Sequence, residues 1–322
     1  MRIGIVGMGF MGGTHLKAWR KVEQATVAAV CDSNPDFGKG KKGNIGSGSD
    51  ELDLDGVAIH SDLAEMLASE NLDAVSIALP THLHKVVAVQ CLEAGVHVLC
   101  EKPMALNGDD CDAMIAAATA AGKQLMVAHC IRFWPEYVWL KESADAGSFG
   151  RIVAAEFERL SAAPAWSGDS WFADPAKSGG IALDLHVHDL DFINYLLGKP
   201  AKVESRKVPM ASGMTGHVQT WLSYPDNLTV SATASWLMPQ SFPFRMAFKA
   251  VFEKAAVVFE GGKLTVYPGE GEPFTPELQD GDGYQNEVAH FAELISGRAD
   301  KPVITPEQAA ESVRMALETE YS

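Results

Sequence analysis

Up to about residue 131 the chain alternates short, largely β-branched apolar runs with amphipathic stretches of helical period, the rhythm of βαβ units laid on a parallel sheet. Strands are expected over 3–6, 26–31, 57–59, 74–79, 96–100 and 124–128, and a helix over 14–22. Two further helices carry polar starts suited to a first-turn cap, Ser61 before 62–69 and Asn107 before 109–121. After Pro135 the rhythm changes to longer alternating stretches at 151–160, 218–224, 228–236, 245–252, 256–259 and 264–267, joined by Gly, Pro, Asn and Asp. Such alternation predicts a largely antiparallel sheet with one buried face. Helices are expected at 181–197 and 284–297, and Thr305-Pro306-Glu307-Gln308 combines an N-cap, a first-turn proline and a capping-box glutamine. No stop signal precedes Ser322, so the sequence leaves open whether the last helix continues beyond it.

The fold class follows: an α/β domain over 1–131, then an α+β domain over 132–322 built on a large, mostly antiparallel open sheet. At 322 residues, 47% hydrophobic and 21% charged, the chain has material for two ordinary cores. A formal net charge of −16 opposes nucleic-acid phosphates and anionic lipid, so neither is an expected partner. Lys39, Lys41 and Lys42 lie in the glycine-rich stretch 38–48 and read as a solvated loop. The five cysteines form no C-x-x-C pair and sit in apolar patterns, as reduced buried thiols do. With a strand beginning at Arg2 there is no room for a leader's basic and apolar regions, and no apolar run approaches the roughly 20 residues that span a bilayer. A cytoplasmic location is expected.

Gly7-x-Gly9-x-x-Gly12 follows the first strand and precedes a helix, the context in which this spacing means a dinucleotide site. Gly7 permits a tight turn, Gly9 lets backbone approach a pyrophosphate, and Gly12 allows close helix packing, with Phe10 and Met11 in the loop. Asp32 ends the next strand about 20 residues on, where a carboxylate can bind ribose hydroxyls and oppose a 2′-phosphate. NAD is therefore favoured over NADP, the Rossmann reading of the first domain is reinforced, and Pro80, Thr81, His84, Glu101 and Lys102 are placed along the same site.

Chemistry is expected from Glu101-Lys102-Pro103, at the carboxyl end of a strand in that sheet, and from Asp184-x-x-x-His188. Residues four apart on a helix share a face, so a carboxylate and an imidazole there can divide a proton-transfer task. His186 and His188 lie two apart and turn to different faces, so no metal site is expected. His84 either approaches the nicotinamide or is structural, and Arg132 either meets a substrate oxygen or bridges the domains. Trp166, Trp171 and Phe172 precede the catalytic segment and are expected to line the pocket.

These segments together resemble the Gfo/Idh/MocA oxidoreductases. The resemblance runs through the glycine loop, Leu79-Pro80-Thr81-His82-Leu83-His84, Glu101-Lys102-Pro103, Arg132-Phe133-x-Pro135, Asp174-Pro175, Gly179-Gly180, the Asp184/His188 pair and Asn286-Glu287-x-x-x-His290-Phe291. It implies substrate bound between a Rossmann domain and an open-sheet domain, a cis Lys102-Pro103 bond, and hydride exchange between nicotinamide and a secondary alcohol of a cyclic polyol, aldose or sugar derivative. Lys102 would hydrogen-bond the reacting hydroxyl, His188 would act as general base or acid, and Asp184 would orient both substrate and His188. Departures stand at Leu79-Pro80-Thr81, at Ile181 in place of a third glycine, and across 251–256, where a Gly-x-x-Gly turn is common. Two rivals are an NAD-retaining glycosidase of the same family and a non-catalytic nicotinamide-binding regulator. An open sheet face would suit a homodimer or homotetramer.

Overall fold

The computed structural model describes residues 1–34, 37, 52–164 and 171–321. Lys39, Lys41, Lys42 and Trp166 lie outside them. Six strands form the first sheet: β1 (Arg2–Val6), β2 (Thr26–Cys31), β3 (Ala58–His60), β4 (Ala74–Ile77), β5 (His97–Glu101) and β6 (Leu125–Ala128). Their order is β3-β2-β1-β4-β5-β6 and every pairing is parallel. Strand order reverses between β1 and β4, and in such sheets ligands bind outside the carboxyl ends at that reversal. The central strands are apolar on both faces because helices cover both; β4, for example, is buried at all four positions.

Local chemistry places the elements. The first helix, Phe10–Trp19, starts directly after Gly9, earlier than its periodicity suggests, because the glycine turn leads straight into helical backbone. Asp62, one position after the expected Ser61, caps the helix Leu63–Ser69 by accepting from Glu65 N at 2.9 Å. Asn107 caps Gly108–Ala121 as expected, accepting from Asp110 N at 2.9 Å. Thr305 and Gln308 form the reciprocal capping box at 3.3 Å in each direction. The helix they start, Pro306–Tyr321, returns to the first domain and lies on Gly108–Ala121, tied by Arg314 and Asp112 at 2.6 Å.

The second sheet comprises β7 (Ile152–Leu160), β8 (Lys202–Pro209), β9 (Thr215–Ser223), β10 (Thr229–Ser235), β11 (Arg245–Phe252), β12 (Ala255–Glu260) and β13 (Lys263–Pro268). Its order is β13-β12-β11-β7-β10-β9-β8, antiparallel except where β7 and β10 run parallel at its centre. Strand β8 escapes the hydrophobic pattern because it is a polar edge strand with no fully buried position. Elsewhere alternation decides which side chains face inward: Ala155, Phe157 and Arg159 of β7 are buried while Glu156 is exposed. All five cysteines are free and buried. Among the described residues no helix is long and apolar enough to cross a membrane.

Candidate active site

A cavity of about 450 Å³ lies at the carboxyl ends of β1, β4 and β5 and is walled on its far side by residues of the second sheet and the Asp184 segment. Its first end is built by the glycine loop. Gly7 has φ +88°, a conformation that glycine adopts at no steric cost, and a β-carbon at Gly12 would run into the Gly7 carbonyl oxygen. A β-carbon at Gly9 would meet nothing within 4 Å, so the backbone there is open to the cavity. The helix Phe10–Trp19 has no side chain capping its start, which leaves first-turn amides for an anionic ligand.

Asp32 completes that end. Its Oδ2 accepts from Met8 N at 2.6 Å and its Oδ1 from Asn34 N at 2.8 Å, fixing the carboxylate at the cavity wall. Phe10, Met11, Pro80 and Thr81 line the same surface. A bare glycine edge, a helix start and an anchored carboxylate fit the pyrophosphate and ribose of a dinucleotide.

The other end holds the ionisable groups. Lys102 Nζ donates to the Asp184 carbonyl oxygen at 2.7 Å and to Asp184 Oδ1 at 3.1 Å, joining the end of β5 to the second domain. The Lys102-Pro103 bond is cis. Asp184 and His188 both line the cavity, though their segment does not begin as the expected α-helix. Residues Ala182–His186 form a π turn, entered through Gly179 and Gly180 at φ +74° and +65°, and the α-helix proper is Val187–Leu197. Local widening of this kind re-aims side chains and is frequent at functional sites. No hydrogen bond joins Asp184 to His188 among the described contacts; the lysine is the carboxylate's partner.

His188 is held neutral. Burial of the imidazole, reinforced by the positive charges of Lys102 and Arg159, pushes its pKa well below the usual 6.5. Its Nδ1 is buried without a hydrogen-bond partner among the described residues. His186 points elsewhere, its Nε2 lying 2.9 Å from Thr220 Oγ1, and burial pushes its pKa down to about 3. The H-x-H pair therefore diverges.

Trp171 lines the cavity and stacks on Phe172 with centroids 3.9 Å apart. The loop carrying them is pinned by Ser178 Oγ, 3.1 Å from both the Phe172 and the Asp174 carbonyl oxygens. Asp174 in turn caps the short helix Pro175–Ser178 by accepting from Ala176 N at 3.0 Å.

Two expected contacts are corrected. Arg132 does not reach the cavity: it donates from Nε and Nη2 to Asp191 at 2.8 Å each, and from Nη1 to Gln308 and the Val303 carbonyl. It is a buried bridge between the end of the first sheet and the two last-domain helices, because a guanidinium fork matches a buried carboxylate better than it matches an open cleft. His84 is likewise structural. Its Nδ1 lies 2.9 Å from the Pro103 carbonyl and its Nε2 2.8 Å from the Leu79 carbonyl, bracing two cavity loops from behind. Glu101 does line the cavity, but its Oε1 lies 2.9 Å from His15 Nε2.

Arg159 is a cavity residue that sequence reasoning missed. It donates twice to Asp189, at 3.2 and 2.9 Å, and the pair is buried. The signal was present in β7, where a charge occupies an inward-facing alternate position, matched by an acid on the buried side of the following helix. His129, buried behind the cavity lining, was missed too; burial pushes its pKa down to about 4 despite Asp191 3.5 Å away.

Comparison with known proteins agrees with this architecture. A model of the GFO/IDH/MocA oxidoreductase family, NAD-binding Rossmann fold, matches residues 1–129, and the C-terminal domain model of the same family matches 137–258. An inositol 2-dehydrogenase of Saccharopolyspora erythraea is 39% identical over 155 residues, which is 48% of this chain and 44% of that protein. A 2,7-anhydro-N-acetylneuraminate hydratase of Mediterraneibacter gnavus is 30% identical over 213 residues, 66% of this chain and 52% of that protein. The aligned stretch thus spans about half the length of these two relatives. A solved levoglucosan dehydrogenase, in complex with NADH and levoglucosan, superposes over 100% of this chain and 97% of its own with a TM-score of 0.82 at 21% identity.

Proposed function

Because the chain belongs to the GFO/IDH/MocA family of oxidoreductases, we propose that it is a nicotinamide-dependent dehydrogenase interconverting a secondary alcohol of a cyclic polyol, aldose or sugar derivative and its ketone. The observation that carries this reading is that Lys102 and His188 line the same cavity as Gly9 and Asp32. A cation and a neutral imidazole at one end, and a dinucleotide cradle at the other, are the parts that alcohol oxidation requires.

When bound, the nicotinamide ring supplies the hydride acceptor or donor. The chain supplies position and proton traffic. Lys102 donates a hydrogen bond to the reacting oxygen and stabilises negative charge developing there. His188, neutral at rest, accepts the hydroxyl proton in oxidation and returns it to the ketone oxygen in reduction. Asp184 holds the lysine ammonium in place through two acceptors. Trp171 and Trp236 offer apolar ring surface at the same end, of the sort that packs on the C–H face of a sugar.

NAD is the proposed cofactor, supported by the anchored Asp32 carboxylate, whose charge opposes a 2′-phosphate. The names of the inositol and levoglucosan dehydrogenases support the polyol or sugar substrate class. The glycosidase and regulator readings gain no support from those names. The test is absorbance of reduced nicotinamide, offering NAD and NADP separately with cyclic polyols, aldoses and anhydrosugars. Signal that disappears in Lys102→Ala is expected; silence across the panel with NADH still bound overturns the proposal.

A further inference from the structure

Behind the cavity wall, three titratable side chains from three elements converge: His15 on the helix Phe10–Trp19, Glu101 at the end of β5, and Glu287 on the helix Gly283–Ile295. All are buried, and one polar atom of each lies within 4.8 Å of the other two. Two of them are fully engaged. Trp19 Nε1 donates to Ser76 Oγ at 2.8 Å, Ser76 Oγ lies 3.1 Å from His15 Nδ1, and His15 Nε2 lies 2.9 Å from Glu101 Oε1. An indole N–H only donates, so Ser76 Oγ accepts from Trp19 and is free to donate its own proton to Nδ1, the tautomer in which His15 presents Nε2–H to Glu101. Glu101 thus accepts as a carboxylate, and its other oxygen accepts the Lys102 backbone N–H at 3.1 Å.

Glu287 is not engaged in this way. It is 0% exposed, and neither carboxyl oxygen has a hydrogen-bond partner among the described residues. Among the described residues no cation pairs with it. Its helix packs on the helix Phe10–Trp19, which offers His15, with Lys17 on the exposed side, and on the turn Cys130–Phe133, which offers the Cys130 thiol, with Arg132 committed to Asp191. Its own helix adds Asp282 at the N-cap and the Tyr284 phenol, and further along His290, whose Nε2 accepts from Val303 N, and Glu293. An ionised Glu287 would be a desolvated charge set against a second carboxylate, an arrangement in which one group keeps its proton.

We propose that Glu287 is a carboxylic acid that keeps its proton beside the Glu101 carboxylate, and that this acid pair is a positioning device for the loop that carries Lys102. Glu287 touches neither substrate nor cofactor. It acts through Glu101, whose carboxylate binds the Lys102 backbone, and it locks a helix of the second domain against β5 without placing two negative charges there. Losing the proton forces the two carboxylates apart and shifts the strand end that aims the lysine. The structural half of the inference stands on its own; the positioning half rests on the dehydrogenase reading.

Infrared spectroscopy of the whole protein without cofactor or substrate reads the proton directly. At neutral pH, in a Glu136→Gln background that removes the other glutamate shifted upward by burial, a carboxylic-acid C=O band is expected. It should move when glutamate is 13C-labelled, stay when only aspartate is labelled, and vanish in Glu287→Gln. Absence of a glutamate acid band at neutral pH overturns the inference, as does its replacement by a cation-dependent carboxylate band. The labelling holds even if Glu287→Gln fails to fold. For the positioning role, Glu287→Gln keeps the donor and should retain kcat/KM within about 3-fold, whereas Glu287→Ala should lose about 10-fold or more, mostly in kcat. Wild type should show a high-pH loss of kcat that Glu287→Gln lacks; identical pH profiles overturn the positioning role while leaving the dehydrogenase reading intact.

Discussion

Lys102 and Asp184, 82 positions apart in the chain, touch twice: the ammonium donates to the aspartate's backbone carbonyl at 2.7 Å and to its carboxylate at 3.1 Å. One of these acceptors survives any substitution at 184. Asp184→Asn should therefore keep the lysine tethered and lower kcat/KM by about 10-fold, whereas Lys102→Ala should cost about 10²–10⁴-fold. Steady-state kinetics on the same substrate, with NADH affinity measured by fluorescence as the control for folding, checks the ordering. Equal losses in the two variants would contradict it.

His188 must be neutral to accept a proton, and burial beside Lys102 and Arg159 holds its pKa well below 6.5. Oxidation should accordingly stay flat as pH falls through 6.5 and decline only at lower pH. His188→Asn should abolish that limb and reduce kcat by about 10²–10⁴-fold. A rate falling by half at pH 6.5 in wild type would place the base elsewhere.

Arg132 binds Asp191 with two parallel hydrogen bonds in a fully buried setting, and Ser312 Oγ donates to the same carboxylate at 2.7 Å. Removing the cation leaves a buried charge uncompensated. Arg132→Ala should cost about 3–5 kcal/mol of stability. Denaturant unfolding measures it; the substrate KM of whatever folds should change little, since the side chain lies outside the cavity.

The buried imidazole of His129 has its pKa pushed from 6.5 down to about 4. A group depressed in the folded state favours folding above its unfolded pKa, so this contribution is complete above pH 6.5 and is lost as pH falls from 6.5 toward 4. The loss is on the order of 3 kcal/mol. Thermal melts across that window should fall less steeply in His129→Gln than in wild type.

What could be read along the chain, and what could not, divides by the range of the interactions. Five strands of the first sheet were legible because a buried strand writes a continuous apolar run, the edge strand β3 with its exposed Ile59 being the exception, and the glycine loop because a tight turn and a close approach restrict residue type. Lys102, Asp184 and His188 were found as chemistry-bearing groups at element ends. The π turn at Ala182–His186 was not, since a spacing of four suits an α-helix equally well. Arg132 could equally face a cleft or a carboxylate; only the position of Asp191, set by a different helix, decides between them. Strand β8 stayed hidden because an edge strand can satisfy its backbone with little apolar pattern.

The parallel pairing of β7 with β10 has a consequence for how the molecule assembles. Ala154 lies opposite Thr229, so the centre of the second sheet waits for chain made much later, and the whole excursion between them, with Asp184 and His188 on it, must first be looped out. Contacts of such sequence separation slow folding. The two sides of the cleft therefore meet late in folding, and a ribosome-bound fragment ending before β10 carries Lys102, Asp184 and His188 while the centre of the second sheet is still open. If the dehydrogenase reading holds, gain of activity during refolding should report when that pairing closes.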